Sequence, residues 1–312
     1  MVDRSRVGYA FVPQTPQHAI DLVERAERAG LDTVWSIMRA VGLDSLTMYA
    51  AAAMRTERIR LGTAIVPAFT RHPLGMMTQI EVLEALAPGR LRLGIGTAHA
   101  ATMVNIYHFD FSRPLSQLRE YLEVLLPLLA TGEVHMKGDF YEVDATIPKP
   151  LATPVLVSAL RAPAFALAAE MSSGALAWLC PPSYLQSVAL PAMESAAAVA
   201  GRVRPPLIAH SPVVVSSDRA KAFATATQQL AFYAAAPFYA RMFKDAGHPL
   251  DDNGGITDGL LDEMLVWGTA EKIADQLRMR LASEVDEIYP SMLTCENHRA
   301  EEDQLLEILA NL

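Results

Sequence analysis

Residues 58–99 constrain the fold of this chain more than any other stretch, because they read as strand, helix and strand in succession. The apolar run at 59–66 is too short for a helix, so we predict a buried strand there. A helical pattern of apolar residues follows, from Pro73 to a stop at Pro88-Gly89. Residues 91–96 are a second apolar run and predict a second buried strand. Two such strands joined by a helix indicate parallel pairing inside a sheet that is covered on both faces.

The same alternation continues along the 312 residues of the chain. Further strands are predicted at 7–11, 33–38, 154–159, 175–179, 207–215 and 285–292, and a hairpin is predicted at 134–143. Eight strands that alternate with helices predict an α/β fold, a (β/α)8 TIM barrel, and we expect one domain over residues 1–312. Two insertions are expected after strands 4 and 7, at 98–113 and 236–266, and the first of them is expected to be irregular. The active sites of such barrels lie in the loops at the carboxyl ends of the strands.

The net charge and the number of cysteines indicate which partners and which cellular compartment to expect. The formal net charge of −9 argues against nucleic acid as a partner, and the apolar runs are too short to span a membrane. The chain opens with charged residues (1–6), so we expect no signal peptide. Cys180 and Cys295 show no metal-binding spacing and fit a reducing compartment. We therefore expect a cytoplasmic protein that acts on a small molecule and holds no metal.

Three ordered motifs resemble the signature of the luciferase-like monooxygenase superfamily. They are L-G-T-A-I-V-P at 61–67, R-H-P at 71–73 and G-R-L-R-L-G-I-G-T at 89–97. The superfamily contains FMN-dependent monooxygenases and oxidoreductases that use the deazaflavin coenzyme F420. The resemblance implies a barrel-shaped redox enzyme, and it implies a homodimer, because such barrels commonly pair through helices near their second and third strands. The apolar run at 50–54 is a candidate for that contact, although a helix packed on the barrel has the same pattern.

The segment after the second predicted strand favours F420 over FMN. Residues 35–47, W-S-I-M-R-A-V-G-L-D-S-L-T, resemble a subgroup of F420 oxidoreductases with W-x-x-Q-x-x-G-x-D-x-L-T at this place. F-S-R-P at 111–114 and R-E-Y-L at 119–122 resemble the same subgroup. The Asp-His or Glu-His pair that many F420 enzymes carry after the second strand is absent. The resemblance therefore implies F420 as the cofactor, with FMN as the alternative.

The resemblance also implies which residues line the cofactor ring. In the family, the strand that corresponds to residues 61–67 bulges beneath the ring, often with a cis peptide that is not prolyl; here this bond would join Ala64 and Ile65. Gly96 and Thr97 would line the ring from the next strand, and Cys180 would do so from the sixth strand. An ordinary buried strand pair at Ala64-Ile65 and a small buried hydrophobe at Cys180 remain the alternatives.

A second group of residues is expected to hold the cofactor phosphate. Ser158, Ala159, Leu160 and Arg161 end the fifth predicted strand and open a helix. Backbone N–H groups at a helix N-terminus bind phosphate, and a guanidinium adds a bidentate contact. The family uses this loop for that purpose. The alternative is a capped turn with a solvated arginine.

His99 is the candidate catalytic residue, because an imidazole just past the fourth strand is suited to proton transfer near neutral pH. A partly exposed loop histidine is the alternative. Tyr107 and His108 on the first insertion, with Arg39 after the second strand, are candidate substrate contacts. His210 is interpreted as a core histidine. His18, His135, His248 and His298 show no constellation in the sequence.

The sequence thus predicts an F420-dependent oxidoreductase that transfers a hydride between the deazaflavin and a small organic substrate. An FMNH2-dependent monooxygenase that uses O2 is the first alternative. A barrel that binds a flavin or another ligand without catalysis is the second.

Overall fold

The structure is a computed structural model that describes residues 4–39, 41–283 and 285–312. The first part of the charged opening segment and Ala40 of the 35–47 motif lie outside these residues. The strands are β1 (Gly8–Phe11), β2 (Thr33–Ser36), β3 (Arg60–Thr63), β4 (Val66–Pro67), β5 (Leu91–Gly96), β6 (Glu133–Lys137), β7 (Glu142–Thr146), β8 (Val155–Ala159), β9 (Ala175–Ala177), β10 (Leu207–Ala209), β11 (Pro212–Val214), β12 (Val266–Trp267), β13 (Glu287–Ile288) and β14 (Ser291–Met292).

The α-helices are α1 (Pro16–Ala29), α2 (Ser45–Ala53), α3 (Pro73–Leu86), α4 (Ala100–Asn105), α5 (Pro114–Thr131), α6 (Ala162–Met171), α7 (Pro182–Tyr184), α8 (Leu190–Val199), α9 (Arg219–Ala234), α10 (Pro237–Asp245), α11 (Asp258–Met264), α12 (Ala270–Ala282) and α13 (His298–Ala310). Short 3-10 turns span Arg4–Arg6 and Ala68–Thr70, and a π turn spans Leu185–Ala189. None of the helices among the described residues is long and apolar enough to cross a membrane.

The fold is α/β, with a curled and mostly parallel sheet. Its strands pair in the order β1-β2-β3-β5-β8-β9-β10-β13, and β1 also pairs with β14. Since β13 and β14 are parts of one short segment, the sheet curls until its last segment meets its first. The antiparallel pair β6–β7 stands apart and confirms the predicted hairpin.

Glycines on two neighbouring strands make room for the largest side chain inside the curl. Trp35 on β2 is fully buried with Ala10 and Tyr289. A Cβ atom on Gly8 would lie 2.6 Å from Trp35 Nε1, and one on Gly62 would overlap the indole ring. The absence of side chains at these two positions therefore allows the indole to fill the space between β1 and β3.

The last two predicted strands are interrupted in the structure. The seventh divides into β10 and β11, and the eighth divides into β13 and β14. Pro212 and Pro290 lie at these breaks, and proline has no N–H to donate to a strand ladder. The second strand, predicted to reach residue 38, ends at Ser36.

The first insertion is not irregular throughout, since residues 98–113 contain α4. Residues 236–266 contain α10, α11 and the start of β12, which pairs with β11. The Ser183 N–H, one residue inside α7, donates to Glu263 Oε1 at 2.7 Å next to the second insertion.

Polar side chains cap several helices. Pro73 begins α3, as predicted, while Thr15 caps α1 and Asp218 caps α9. His72 Nδ1 accepts the Leu74 N–H at 3.2 Å and so caps α3.

Candidate active site

The carboxyl ends of β3, β5 and β8 lie side by side and bring several predicted cofactor residues together. The Ala64-Ile65 peptide between β3 and β4 is cis, as expected. Both residues are half-buried and pack on the interior cluster that contains Trp35. The Ala64 N–H donates to the Ser36 carbonyl at 2.9 Å, which ties this bulge to the end of β2.

Gly96, at the end of β5, allows a close approach to Ser158 on β8. A Cβ atom there would overlap the Ser158 hydroxyl and would lie 3.5 Å from Ile65 Cδ1. Ile65, Gly96 and Ser158 therefore border one small region at the edge of the sheet. Thr97 follows directly and is half-buried, with its hydroxyl donating to the Ala98 carbonyl at 3.4 Å.

The Ser158–Arg161 loop leads into α6. Ala159 is buried and Leu160 half-buried, while Arg161 occupies the N-cap position of α6 without capping it through its side chain. Arg161 Nη2 lies 2.8 Å from Asp245 Oδ2 at the end of α10. Its Nη1 is buried and has no hydrogen-bond partner in the part of the chain that the structure describes. The guanidinium is therefore only partly exposed and only partly paired, which favours the phosphate-loop interpretation over a solvated arginine.

His99 lies in an aromatic enclosure formed by the second insertion and α9. Its ring centroid is 5.5 Å from that of Phe232, 5.9 Å from Tyr233 and 6.0 Å from Tyr239. Burial lowers the pKa of His99 below its ordinary value. The ring is therefore neutral near pH 7 and able to accept a proton.

A second aromatic group, which the sequence reasoning missed, lies at the ends of β9 and β10. The Trp178 ring stacks on His210 with centroids 3.6 Å apart, and Tyr289 lies 6.0 Å from Trp178. His210 Nε2 is 2.8 Å from Ser291 Oγ. His210 is buried in the core, as interpreted, but its Nδ1 and the Nε1 of Trp178 have no hydrogen-bond partners among the described residues. The signal that could have found the group is Trp178, an aromatic residue near the end of the sixth predicted strand.

Cys180 is buried next to this aromatic group. Its Sγ lies 3.7 Å from the Trp178 carbonyl, and burial raises the pKa of its thiol well above the ordinary value. The thiol is therefore protonated and inert at neutral pH. It can line a ligand, but it cannot act as a nucleophile there.

The three predicted substrate residues do not share one surface with the observed groove. An open groove of about 500 Å³ is lined by Ala100, Val104, Phe109, Asp110, Phe111, Ser112, Pro114 and Phe238. Tyr107 stacks on Phe109 with ring centroids 5.6 Å apart, so it contacts a residue that lines this groove. His108 and Arg39 are exposed.

The expectation that the remaining histidines form no constellation is wrong. His18 and His298 have ring centroids 5.7 Å apart, although they are 280 residues apart in the sequence. His248 lies 2.5 Å from Glu263, and His135 lies 2.9 Å from Asp144.

Residues 3–287 match the family of luciferase-like monooxygenases, and the chain belongs to this family. The resemblance seen in the motifs is thereby confirmed, and the protein is an oxidoreductase. A Mycobacterium tuberculosis protein with the provisional name coenzyme F420-dependent oxidoreductase is 30% identical over 73% of this chain and 71% of its own.

Two solved structures show the same fold. The coenzyme F420-dependent tetrahydromethanopterin reductase of Methanopyrus kandleri superposes with a TM-score of 0.83 at 19% identity, over 98% of this chain and 97% of that one. The oxygenating constituent of 3,6-diketocamphane monooxygenase from Pseudomonas putida, in complex with FMN, gives a TM-score of 0.75 at 15% identity, over 98% and 97%. F420-dependent and FMN-binding proteins are therefore both among its relatives in fold.

Proposed function

We propose that the protein is an F420-dependent oxidoreductase that transfers a hydride between the deazaflavin and a small organic substrate. The observation that carries the proposal is the buried Arg161 Nη1 without a hydrogen-bond partner among the described residues, at the N-terminus of α6. A buried unpaired guanidinium nitrogen is costly, and a phosphate would satisfy it. The F420-dependent relative in M. tuberculosis supports F420 as the source of that phosphate.

The residues around this arginine fit such a cofactor. The N–H groups at the start of α6, the Ser158 hydroxyl and Arg161 would hold the phosphate. Ala64 and Ile65 would support the ring, Gly96 and Thr97 would border it, and Cys180 would line it as an uncharged thiol. F420, when bound, supplies the carbon that gives or accepts a hydride.

His99 is proposed to hold or accept the proton that accompanies hydride transfer. Its neutral imidazole is supported by three aromatic rings, which exclude water and fix its position. The aromatic groove beside it would take the substrate, and its lining of Phe109, Phe111 and Phe238 favours an apolar one. Tyr107, His108 and Arg39 would contact only those parts of the substrate that extend beyond the groove.

The proposal also covers the domain organisation, the cellular setting and the oligomeric state. We regard the curled sheet and its helices as one (β/α)8 barrel domain over residues 1–312, whose insertions after strands 4 and 7 shape the groove. The free thiols of Cys180 and Cys295 support a cytoplasmic setting. We further propose a homodimer, supported by the exposed apolar side chains of Met54, directly after α2, and of Val82 and Leu86 on α3.

An FMNH2-dependent monooxygenase is the second candidate, and the likeness to the FMN-bound diketocamphane monooxygenase supports it. It requires O2 and a reductase that supplies FMNH2. Turnover that persists under strict exclusion of O2 argues for the F420 enzyme, and turnover that requires O2 argues for the monooxygenase.

The phosphate site is tested by replacing Arg161 with glutamine. We expect Arg161→Gln to weaken F420 binding by about 10- to 100-fold, because a charge-assisted contact contributes about 1.5–3 kcal/mol. Arg119→Gln is the matched control, since Arg119 pairs with Glu170 on the helix surface. Equal affinities of the two variants and the unmodified protein would remove Arg161 from the site.

A further inference from the structure

We propose that His18, His298 and Glu302 form a binding site for a divalent metal ion, with zinc as the ion that best suits this ligand set. Two imidazole nitrogens and one carboxylate are a common zinc-binding combination that leaves one position open to water. The site joins the start of α1 to the start of α13, the helices that follow the first and last strands of the sheet. It uses none of the residues assigned to the cofactor.

The ligand atoms already lie close to a coordinating arrangement. His18 Nε2 is 3.4 Å from Glu302 Oε1, and His298 Nε2 is 3.9 Å from the same oxygen. All three ligand atoms lie within 4.8 Å of one another. Tetrahedral zinc ligands at about 2.0–2.2 Å from the ion stand roughly 3.3 Å apart, so an approach of the order of 1 Å completes the geometry.

Two of these atoms lack a well-formed hydrogen bond. The Nε2 atoms of His18 and His298 are both buried, and their contacts with Glu302 Oε1, at 3.4 Å and 3.9 Å, do not have the geometry of a hydrogen bond. Buried polar nitrogens without partners are rare and costly. A metal ion at the centre of the three side chains would satisfy both nitrogens at once.

Surrounding groups orient the ligands. His298 Nδ1 lies 3.0 Å from Thr294 Oγ1, so that its proton can point away from the proposed ion. Glu302 is paired through its second oxygen with Arg25, which also pairs with Asp303, and the Tyr9 hydroxyl donates to Oε1 at 3.3 Å.

His18 makes one further contact through its other ring nitrogen. The Gln14 N–H donates to His18 Nδ1 over a long 3.3 Å. Coordination through Nε2 requires the ring proton at Nδ1, so this weak contact is given up when the metal binds.

An ion can reach the site from solvent. The side chains of His18 and His298 are 15% and 34% exposed, while Glu302 is 1% exposed beneath them. The bound ion would link α1 to α13 at the place where the last segment of the sheet pairs with the first. Because the unfolded chain does not hold these ligands together, occupancy should raise the stability of the fold.

The test is isothermal titration of EDTA-treated, dialysed full-length protein with Zn²⁺. We expect one zinc per chain with micromolar or tighter affinity, and a rise in Tm when zinc is added. His298→Ala and His18→Ala should each weaken this binding by about 100-fold. His135→Ala is the matched control, because His135 pairs with a carboxylate on the exposed hairpin β6–β7.

Two results would overturn the proposal. One is the absence of zinc binding to the unmodified protein at micromolar zinc. The other is binding that His18→Ala and His298→Ala leave unchanged, which would mean adventitious surface binding. Circular dichroism of both variants checks that they fold, and His298→Ala is the milder of the two changes because His298 is the more exposed residue. Cofactor binding is measured separately, so failure of the metal site leaves the proposed function untouched.

Discussion

At the scale of single residues, Gly96 sets how closely β5 can approach the region bordered by Ile65 and Ser158. An added methyl group would overlap the Ser158 hydroxyl. We therefore expect Gly96→Ala to lower the free energy of unfolding by about 1–3 kcal/mol, as overpacking does. We also expect it to weaken F420 binding at least tenfold, since the same methyl group would enter the space proposed for the ring. Chemical denaturation and fluorescence titration measure the two effects.

Gly75→Ala is the matched control for this change. Gly75 lies on the exposed face of α3, and a Cβ atom there meets nothing within 4 Å. Alanine in a helix should raise the free energy of unfolding by up to about 1 kcal/mol and leave cofactor binding unchanged. A Gly96→Ala variant as stable and as well bound as Gly75→Ala would contradict the close approach.

His99 should set the acidic limb of the pH profile. Burial lowers the pKa of His99 below its ordinary value of 6.5. The imidazole therefore stays neutral as the pH falls to 6.5, and it stops accepting protons only at a lower pH. We expect kcat/KM to hold down to pH 6.5 and then to fall. His99→Gln should lower kcat by about 100-fold or more and remove this limb without changing F420 affinity.

His135→Gln serves as the control, because His135 is exposed on the hairpin. If His99→Gln keeps full kcat and the same pH profile, the ring is only a packing partner of Phe232 and Tyr239.

The sequence identified site residues whose partners are close in the chain, and it missed those whose partners are distant. The cis peptide at Ala64-Ile65 was predicted, because the motif around it is contiguous. The pairing of Trp178 with His210 and that of His18 with His298 were not, because only the curled sheet brings these distant residues together. No periodicity in a single sequence reports such contacts.

At the scale of elements, α10 is tied to the proposed phosphate site through one ion pair. Asp245 ends α10, where a negative charge is unfavourable to the helix dipole, and it pairs with Arg161. Asp245 therefore competes with a phosphate for the guanidinium. We expect Asp245→Asn to raise F420 affinity by about two- to fivefold, in line with the small energy of a partly exposed ion pair.

Glu170→Gln is the control, since it releases Arg119 rather than Arg161. Calorimetric titration of both variants against the unmodified protein compares the affinities. A fall in affinity for Asp245→Asn would mean that Asp245 holds Arg161 in place for the ligand, which is the opposite role.

Elements were predictable where local chemistry decides them. Thr15, Pro73 and Asp218 mark helix starts because caps and first-turn prolines act within a few residues. The helix α4 was missed in the first insertion, because it is short and buries only Met103, so its apolar pattern is weak. The helix α10 was missed although Tyr239, Met242 and Phe243 are buried at helical spacing. β12 exists only by pairing with β11, which local propensity does not encode.

At the scale of the whole molecule, the proposed dimer should depend on the outer face of α2 and α3. Met54, at the end of α2, is 70% exposed, and Val82 and Leu86 on α3 are exposed as well. We expect the unmodified protein to be a dimer at micromolar concentration and Met54→Glu to be a monomer, because a buried unpaired charge is costly at an interface. Light scattering coupled to size-exclusion chromatography measures both masses.

Met279→Glu is the matched control, since Met279 is 67% exposed on α12. It should leave the dimer intact. A monomeric unmodified protein, or a dimer unaffected by Met54→Glu, would exclude this face as the interface.

The proposed binding of F420 at the carboxyl edge of the sheet is tested by equilibrium binding of the purified protein to F420 and to FMN, side by side at moderate salt. We expect micromolar or tighter affinity for F420 and much weaker affinity for FMN. Tight binding of FMN with weak binding of F420 would contradict it and favour the O2-dependent monooxygenase, and binding of neither would reject the cofactor site around Ala64-Ile65 and Arg161.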